Sequence, residues 1–266
     1  MNAIVHGFPI FLLIFCRITA FFVVTPIFSS RSVPATFKIG LGFMISLLVF
    51  LSYGLQQNIV LGPEYILLVL REILLGVLLG FVVYLFFSVV QTAGALMDMQ
   101  IGFAMANVID PNTGTSAPLL GNFKYMVLMV LFLMLNGHHY LLAGLMNSYA
   151  WMPLDNELFA RVMSGNVSVF LTKALSMTFL LAIQVAAPMM VALFLTDVGL
   201  GFLTKTAPQF NVFVVGIPLK IIVGLFLLVV LIPSLAVLFE NLFSILFSSL
   251  EQLFGILQQA PAADGQ

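Results

Sequence analysis

Apolar residues come in long runs separated by short polar punctuation. The runs cover residues 4–28, 37–55, 65–90, 123–146, 167–203, 212–232 and 235–257, with a shorter stretch at 93–109. A helix needs roughly 20 apolar residues to cross a hydrocarbon core of about 30 Å, so each long run predicts a membrane helix. The segments between them read as turns: Ser29 to Pro34, Gln56-Gln57-Asn58, Asp110 to Asn122, Pro153 to Asn166, and Pro208-Gln209-Phe210-Asn211. None is long enough for a soluble domain. The chain reads as one all-α integral membrane domain over residues 1–266, with kinked helical hairpins. Pro188 and Pro233 fall inside apolar runs, where each removes a backbone hydrogen bond, so kinks or hairpin bends are expected there. Pro233 is placed at the tip of a two-helix hairpin over residues 212–257.

Composition narrows the solvent. Of 266 residues, 9 are Lys or Arg and 10 are Asp or Glu, 7% in all, against about 25% in an ordinary soluble domain. Hydrophobic residues make up 62% and mean hydropathy is +1.19. A water-facing surface would expose large apolar patches, so lipid or other apolar helices must surround the chain. The net charge of −1 and the lack of a basic block exclude a nucleic-acid partner. Cys16 permits no internal disulfide and reads as a small buried hydrophobe. Residues 1–30 lack a basic leader region and a small-residue cleavage site, and are expected to stay in the mature chain. The positive charges follow no alternation along the loops, so a simple serpentine topology is poorly supported and burial against partner subunits stays open.

Candidate chemistry is sparse. There is no His-Glu-x-x-His motif, nucleophile elbow or cysteine cluster, and a phosphate loop lacks its Gly-Lys-Ser/Thr core, so neither an enzyme nor a cofactor or metal is expected. His138 and His139 are adjacent on a helix and diverge, which suits a helix end better than a metal. Charged and polar groups within the runs are a better lead: Arg17, Glu72, Asp98, Lys173, Gln184, Asp197 and Glu240. Each either snorkels, pairs with another helix or serves a proton path. Gly94, Asp98, Gly102, Ala106 and Asp110 recur every fourth residue and would form one stripe on a helix. Gly76 and Gly80 form a second small face that admits a close neighbour. Asp110-Pro111-Asn112-Thr113-Gly114-Thr115-Ser116-Ala117-Pro118 is a small, polar loop between prolines, either a connector or a loop lining an aqueous cavity. Fourteen methionines read mostly as flexible core filler, and Tyr149 with Trp151 as an interfacial anchor.

Several of these pieces resemble the FliR family of flagellar export-gate proteins, whose injectisome relatives are called SctT. They are Arg17 through Pro26, Val33-Pro34, Lys38, Arg71-Glu72 with Gly76, Ala93-Gly94, and Asp98-Met99-Gln100-Ile101-Gly102-Phe103. Asp110-Pro111, Asn136-Gly137-His138-His139, Pro208-Gln209-Phe210-Asn211 and Gly216-Ile217-Pro218-Leu219-Lys220 follow in order. The resemblance implies a single-copy subunit of a helical export gate in the bacterial inner membrane. Its partners would be FliP-like, FliQ-like and FlhB-like subunits, unfolded export substrates and membrane lipid. It also implies that residues 212–257 act as a FliQ-like unit and that Asp110 to Pro118 plug the closed conduit. Arg71, Glu72, Gly76, Gly80, Gly94, Asp98, Gln100, Gly102, Pro208, Gln209, Asn211, Lys220 and Glu240 are the residues expected at packing interfaces or along the conduit. Within the family an injectisome gate is the alternative, and two other classes stay open: a secondary transporter, although paired halves with matching breaks are not found, and an intramembrane enzyme, for which no catalytic constellation is visible.

Overall fold

The structure, a computed structural model, describes residues 2–30, 33–57, 62, 64–103, 119–154, 165–207, 209 and 211–258. The described residues form helices α1 (Asn2–Val24), α2 (Pro26–Ser29), α3 (Ala35–Ser52), α4 (Tyr65–Ile101), α5 (Leu119–Met134), α6 (Gly137–Trp151), α7 (Asn166–Thr206) and α8 (Val212–Gln258), with no strand among them. Five helices are long and apolar enough to cross a membrane, or six spans if α5 and α6 count as one. The fold is therefore that of an all-α integral membrane protein.

Two compact units divide the chain. The first gathers Met1–Leu85, Asn136–Leu175 and Ile245–Gln266, the second Phe86–Leu135 and Ser176–Ser244. In the first unit, α1 is the central helix, with Leu13, Ile14 and Ile18 fully buried. Its Phe11 ring meets Phe43 of α3 at 5.3 Å and Phe50 at 6.1 Å. The second unit centres on Phe132, whose ring meets Phe87 at 5.3 Å and Phe243 at 4.9 Å. In both units edge-to-face aromatic packing fills space that aliphatic side chains alone would leave open.

Three element boundaries depart from the sequence reading. Runs 65–90 and 93–109 are joined in one helix as far as Ile101, because Gln91 and Thr92, polar but good enough helix residues, do not break it. Gly102, at φ 101°, ends that helix, so of the expected stripe Gly94 and Asp98 lie on α4, while Ala106 and Asp110 lie outside the described residues. Run 123–146 is two helices, with the break at Leu135-Asn136. Asn136 sits in the left-handed region at φ 56°, ψ 24°, a conformation that asparagine tolerates far better than a branched residue does.

The expected hairpin tip is also misplaced. α8 runs unbroken through Pro218 and Pro233, so residues 212–257 are one arm and not two. A proline inside an apolar helix loses one hydrogen bond and can kink the axis, but chain reversal needs several non-helical residues, and none lies there. Those residues occur between Thr206 and Val212. Lys220 pairs with Asp197, and a Cβ on Gly224 would stand 3.4 Å from Met189 Cε. Contacts that move outward in step on both sides of this short connection make α7 and α8 the antiparallel arms.

Candidate functional site

Polar groups in an apolar chain mark where the fold departs from simple hydrophobic packing, and they fall into three clusters. The first, in the Met1–Leu85 unit, is buried. Glu72 on α4 receives Arg17 of α1 through Nε at 2.6 Å and Nη2 at 3.1 Å, and Arg71 Nη2 at 2.8 Å. Arg17, Arg71 and Glu72 are 0–2% exposed. Two guanidiniums share one carboxylate, so the surplus donors go elsewhere: Arg17 to Ser148 Oγ at 3.1 Å and Met152 O at 3.0 Å, Arg71 to Pro153 O at 3.2 Å. Those acceptors lie at the C-terminal end of α6, whose last carbonyls have no helical partners and favour cations. Tyr149 closes the cluster, its ring 4.1 Å from the Arg17 guanidinium carbon and its hydroxyl donating to Ile14 O at 3.1 Å. Tyr149 is 1% exposed, a core residue rather than the interfacial anchor that its sequence neighbours suggested. Ser148 carried no sequence signal as a partner of a charge 131 residues away, and neither did Tyr149.

Gly76 and Gly80 belong to the same unit and have a specific job. A Cβ at Gly76 would collide with Arg17 O and stand 2.8 Å from Ala20 Cβ, and one at Gly80 would stand 2.9 Å from Val24 Cβ. Their small face lets α4 lie directly on the α1 backbone, which brings Arg17 within reach of Glu72.

The second cluster starts α5. Asp98, 2% exposed, accepts from Leu120 N at 3.2 Å and 3.1 Å through its two carboxylate oxygens. This carboxylate, supplied from another helix, satisfies a backbone donor of the first α5 turn, where the helix dipole also favours negative charge. One turn earlier on α4, Gly94 faces Gly121, and a Cβ there would clash with the Gly121 backbone. Lys124, also 2% exposed, donates to Met97 Sδ at 2.9 Å. Lys124 was missed by the sequence reading because it sits at the start of an apolar run, where a lysine ordinarily snorkels.

The third cluster ties α4 to the hairpin. Asp197 of α7 pairs with Lys220 of α8 at 2.8 Å and accepts from Gln100 Nε2 of α4 at 3.3 Å. Lys220, Asp197 and Gln100, which lie far apart in the sequence, thus meet. Gln209 and Asn211 are exposed at the hairpin connection, and Asn211 O accepts backbone N–H groups in the first turn of α8, from Val214 at 3.0 Å and Val215 at 3.2 Å. Lys173, Gln184 and Glu240 stand exposed on α7 and α8. Ala106, Asp110 through Pro118, and Pro208 lie outside the described residues. Among the described residues no group of three His, Cys, Asp or Glu side chains could hold a metal ion.

Comparison with known proteins gives the same pattern a family. Residues 8–246 match the family model described as bacterial export proteins, family 1. The chain is 38% identical over 257 residues to the flagellar biosynthetic protein FliR of Bacillus subtilis (strain 168), covering 97% of this chain and 99% of that one. It is 34% identical over 241 residues to the flagellar biosynthetic protein FliR of Escherichia coli (strain K12), with 91% of each covered. The Yop proteins translocation protein T of Yersinia pestis is 30% identical over 216 residues, 80% of this chain and 82% of that one. With nearly the full length matched, the chain belongs to the bacterial export proteins, family 1, the family of the flagellar biosynthetic proteins FliR.

Proposed function

We propose that the chain is an export-gate subunit of the flagellar type III secretion system, housed in the bacterial inner membrane. There it would form part of the conduit through which unfolded flagellar proteins leave the cell. The observation that carries this reading is the uncovered apolar surface of the α7–α8 hairpin. Only 11% of the most apolar stretch of α8 is buried within the chain, against 61% for α4. Exposed large apolar side chains on α7 run from Val169 to Leu203, about 51 Å of helix at 1.5 Å per residue. Tilted by as much as 40°, that length still spans about 39 Å, beyond a hydrocarbon core of about 30 Å. Apolar surface outside the hydrocarbon aggregates unless protein covers it. FliP-like and FliQ-like subunits, with an FlhB-like subunit, would supply that cover. The FliQ-like part of this chain is then the α7–α8 pair. The role is that of a wall and not a catalyst.

Asp110 to Pro118 would plug the closed conduit, since small side chains fit a narrow lumen and few bulky anchors hold them there. Asp98 and Gly94 fix the start of α5 and hence one end of this segment. An injectisome export gate is the second reading, favoured by the likeness to the Yersinia pestis protein.

Deleting the gene and assaying flagellar proteins in the medium tests the first reading. Secretion and motility should vanish and return with the wild-type gene; undiminished secretion would refute it. Removing Thr113 to Ser116 should leave the complex assembled and raise ion leakage across the membrane. A tight membrane with normal assembly would reduce the segment to a connector.

A further inference from the structure

Resting on the export-gate reading, a slot in the Met1–Leu85 unit points to one contact in detail. Tyr140, Gly144, Asn147 and Trp151 fall at i, i+4, i+7 and i+11, one face of α6. Phe247, Leu250, Glu251 and Phe254 form the facing stripe of α8. Aromatic pairs clamp the two helices at both ends: Tyr140 with Phe247 at 5.6 Å, and Trp151 with Phe254 at 4.3 Å. Between the clamps the small α6 residues leave an open cavity of about 220 Å³, floored by Phe21 and Leu79. That is below the roughly 300–1,000 Å³ of small-molecule sites and suits a large side chain or two.

Gly144 shows what the slot is shaped for. A glycine inside a helix costs about 1 kcal/mol against alanine. Gly76, Gly80 and Gly94 offset that cost by admitting this chain's own backbone, whereas a Cβ on Gly144 would meet nothing within 4 Å. The room over Gly144 is therefore available to another chain whose helix approaches closely. Glu251, exposed on the rim, forms no ion pair among the described residues. A carboxylate repels anionic lipid headgroups and gains nothing from an acyl chain, but it matches a cation on a protein partner. We propose that this slot receives an apolar side chain from a helix of a companion membrane subunit, and that the same helix presents a lysine or arginine to Glu251.

The test uses the full chain expressed with its neighbouring export genes, a tag on a companion subunit, and a photocrosslinking amino acid at Ala143. Crosslinks should map to one helix of a companion that carries a basic residue within a turn or two. Gly144→Leu and Glu251→Arg should each lower recovery of this chain with the tagged companion at least tenfold at an unchanged membrane level, with Gly144→Ala matching wild type. An acidic residue at the crosslinked basic position should restore Glu251→Arg. If Gly144→Leu lowers the chain's own level, Glu251→Arg and the crosslink map decide. Wild-type recovery of both variants, or crosslinks to lipid alone, overturns the slot but leaves the export-gate reading intact. A wild-type chain that recovers no companion overturns that reading itself.

Discussion

Glu72 is the carboxylate on which two buried guanidiniums depend, so its loss leaves Arg17 and Arg71 charged in a site that water does not reach. Breaking such a pair from one side costs about 3–5 kcal/mol. Glu72→Ala should therefore deplete the chain from membranes or lower its thermal midpoint sharply in detergent, and Arg17→Lys in the wild-type chain should also destabilise it, because an ammonium cannot reproduce the forked contact. Near wild-type levels of Glu72→Ala on an immunoblot would contradict this. Gly94→Val tests the second cluster, since a Cβ has no room against the Gly121 backbone. The strain, about 1–3 kcal/mol or more, should also displace Asp98 from Leu120 N, detectable as faster hydrogen exchange of the first α5 amides. Unchanged exchange would show that the two helices simply part. Most of the buried charges were legible in the sequence, because Arg17, Glu72 and Asp98 stand out in apolar runs, while Lys124 did not. Their remaining partners were not: besides Glu72, Arg17 donates to a serine hydroxyl on α6 and to the Met152 carbonyl at its end, and carbonyls leave no trace in residue identity.

At the scale of elements, apolar run length located the helices well, and α7 spans Asn166–Thr206 against an expected 167–203. Punctuation was the weaker guide. Pro233 looked like a hairpin tip and lies within a continuous helix, whereas Asn136-Gly137, a dipeptide that marks turns, was read as part of one apolar run and separates two helices. A proline lacks a donor but keeps a helical φ, while a left-handed residue actually redirects the chain. Cysteine pairs on a Cys16→Ala background distinguish the two tips. Met189→Cys with Gly224→Cys should be joined by a short bifunctional thiol reagent, since Gly224 lies against the end of the Met189 side chain. Gly224→Cys with Leu242→Cys, the same distance either side of Pro233, should not, being about 27 Å apart along a helix. The reverse outcome would restore the hairpin at Pro233. Asn136→Gly should be neutral, and Asn136→Val should cost about 1–2 kcal/mol, read as a lower thermal midpoint. A tolerated valine would mean that the break does not need a left-handed residue.

For the whole molecule, the export-gate proposal gives the failed loop-charge pattern and the length of α7 one physical cause. Helices whose apolar faces outrun the hydrocarbon cannot be ordered by lipid alone, so both topology rules and a chain-by-chain description stop at the surface that companions should cover. Native mass spectrometry of the complex extracted in mild detergent from cells expressing the chain with its neighbouring export genes tests this most directly. The expected result is a heteromeric particle in which one copy of this chain is held with several copies of FliP-like and FliQ-like subunits. A chain that emerges alone, or only with copies of itself, while those subunits assemble without it, would contradict the export-gate assignment.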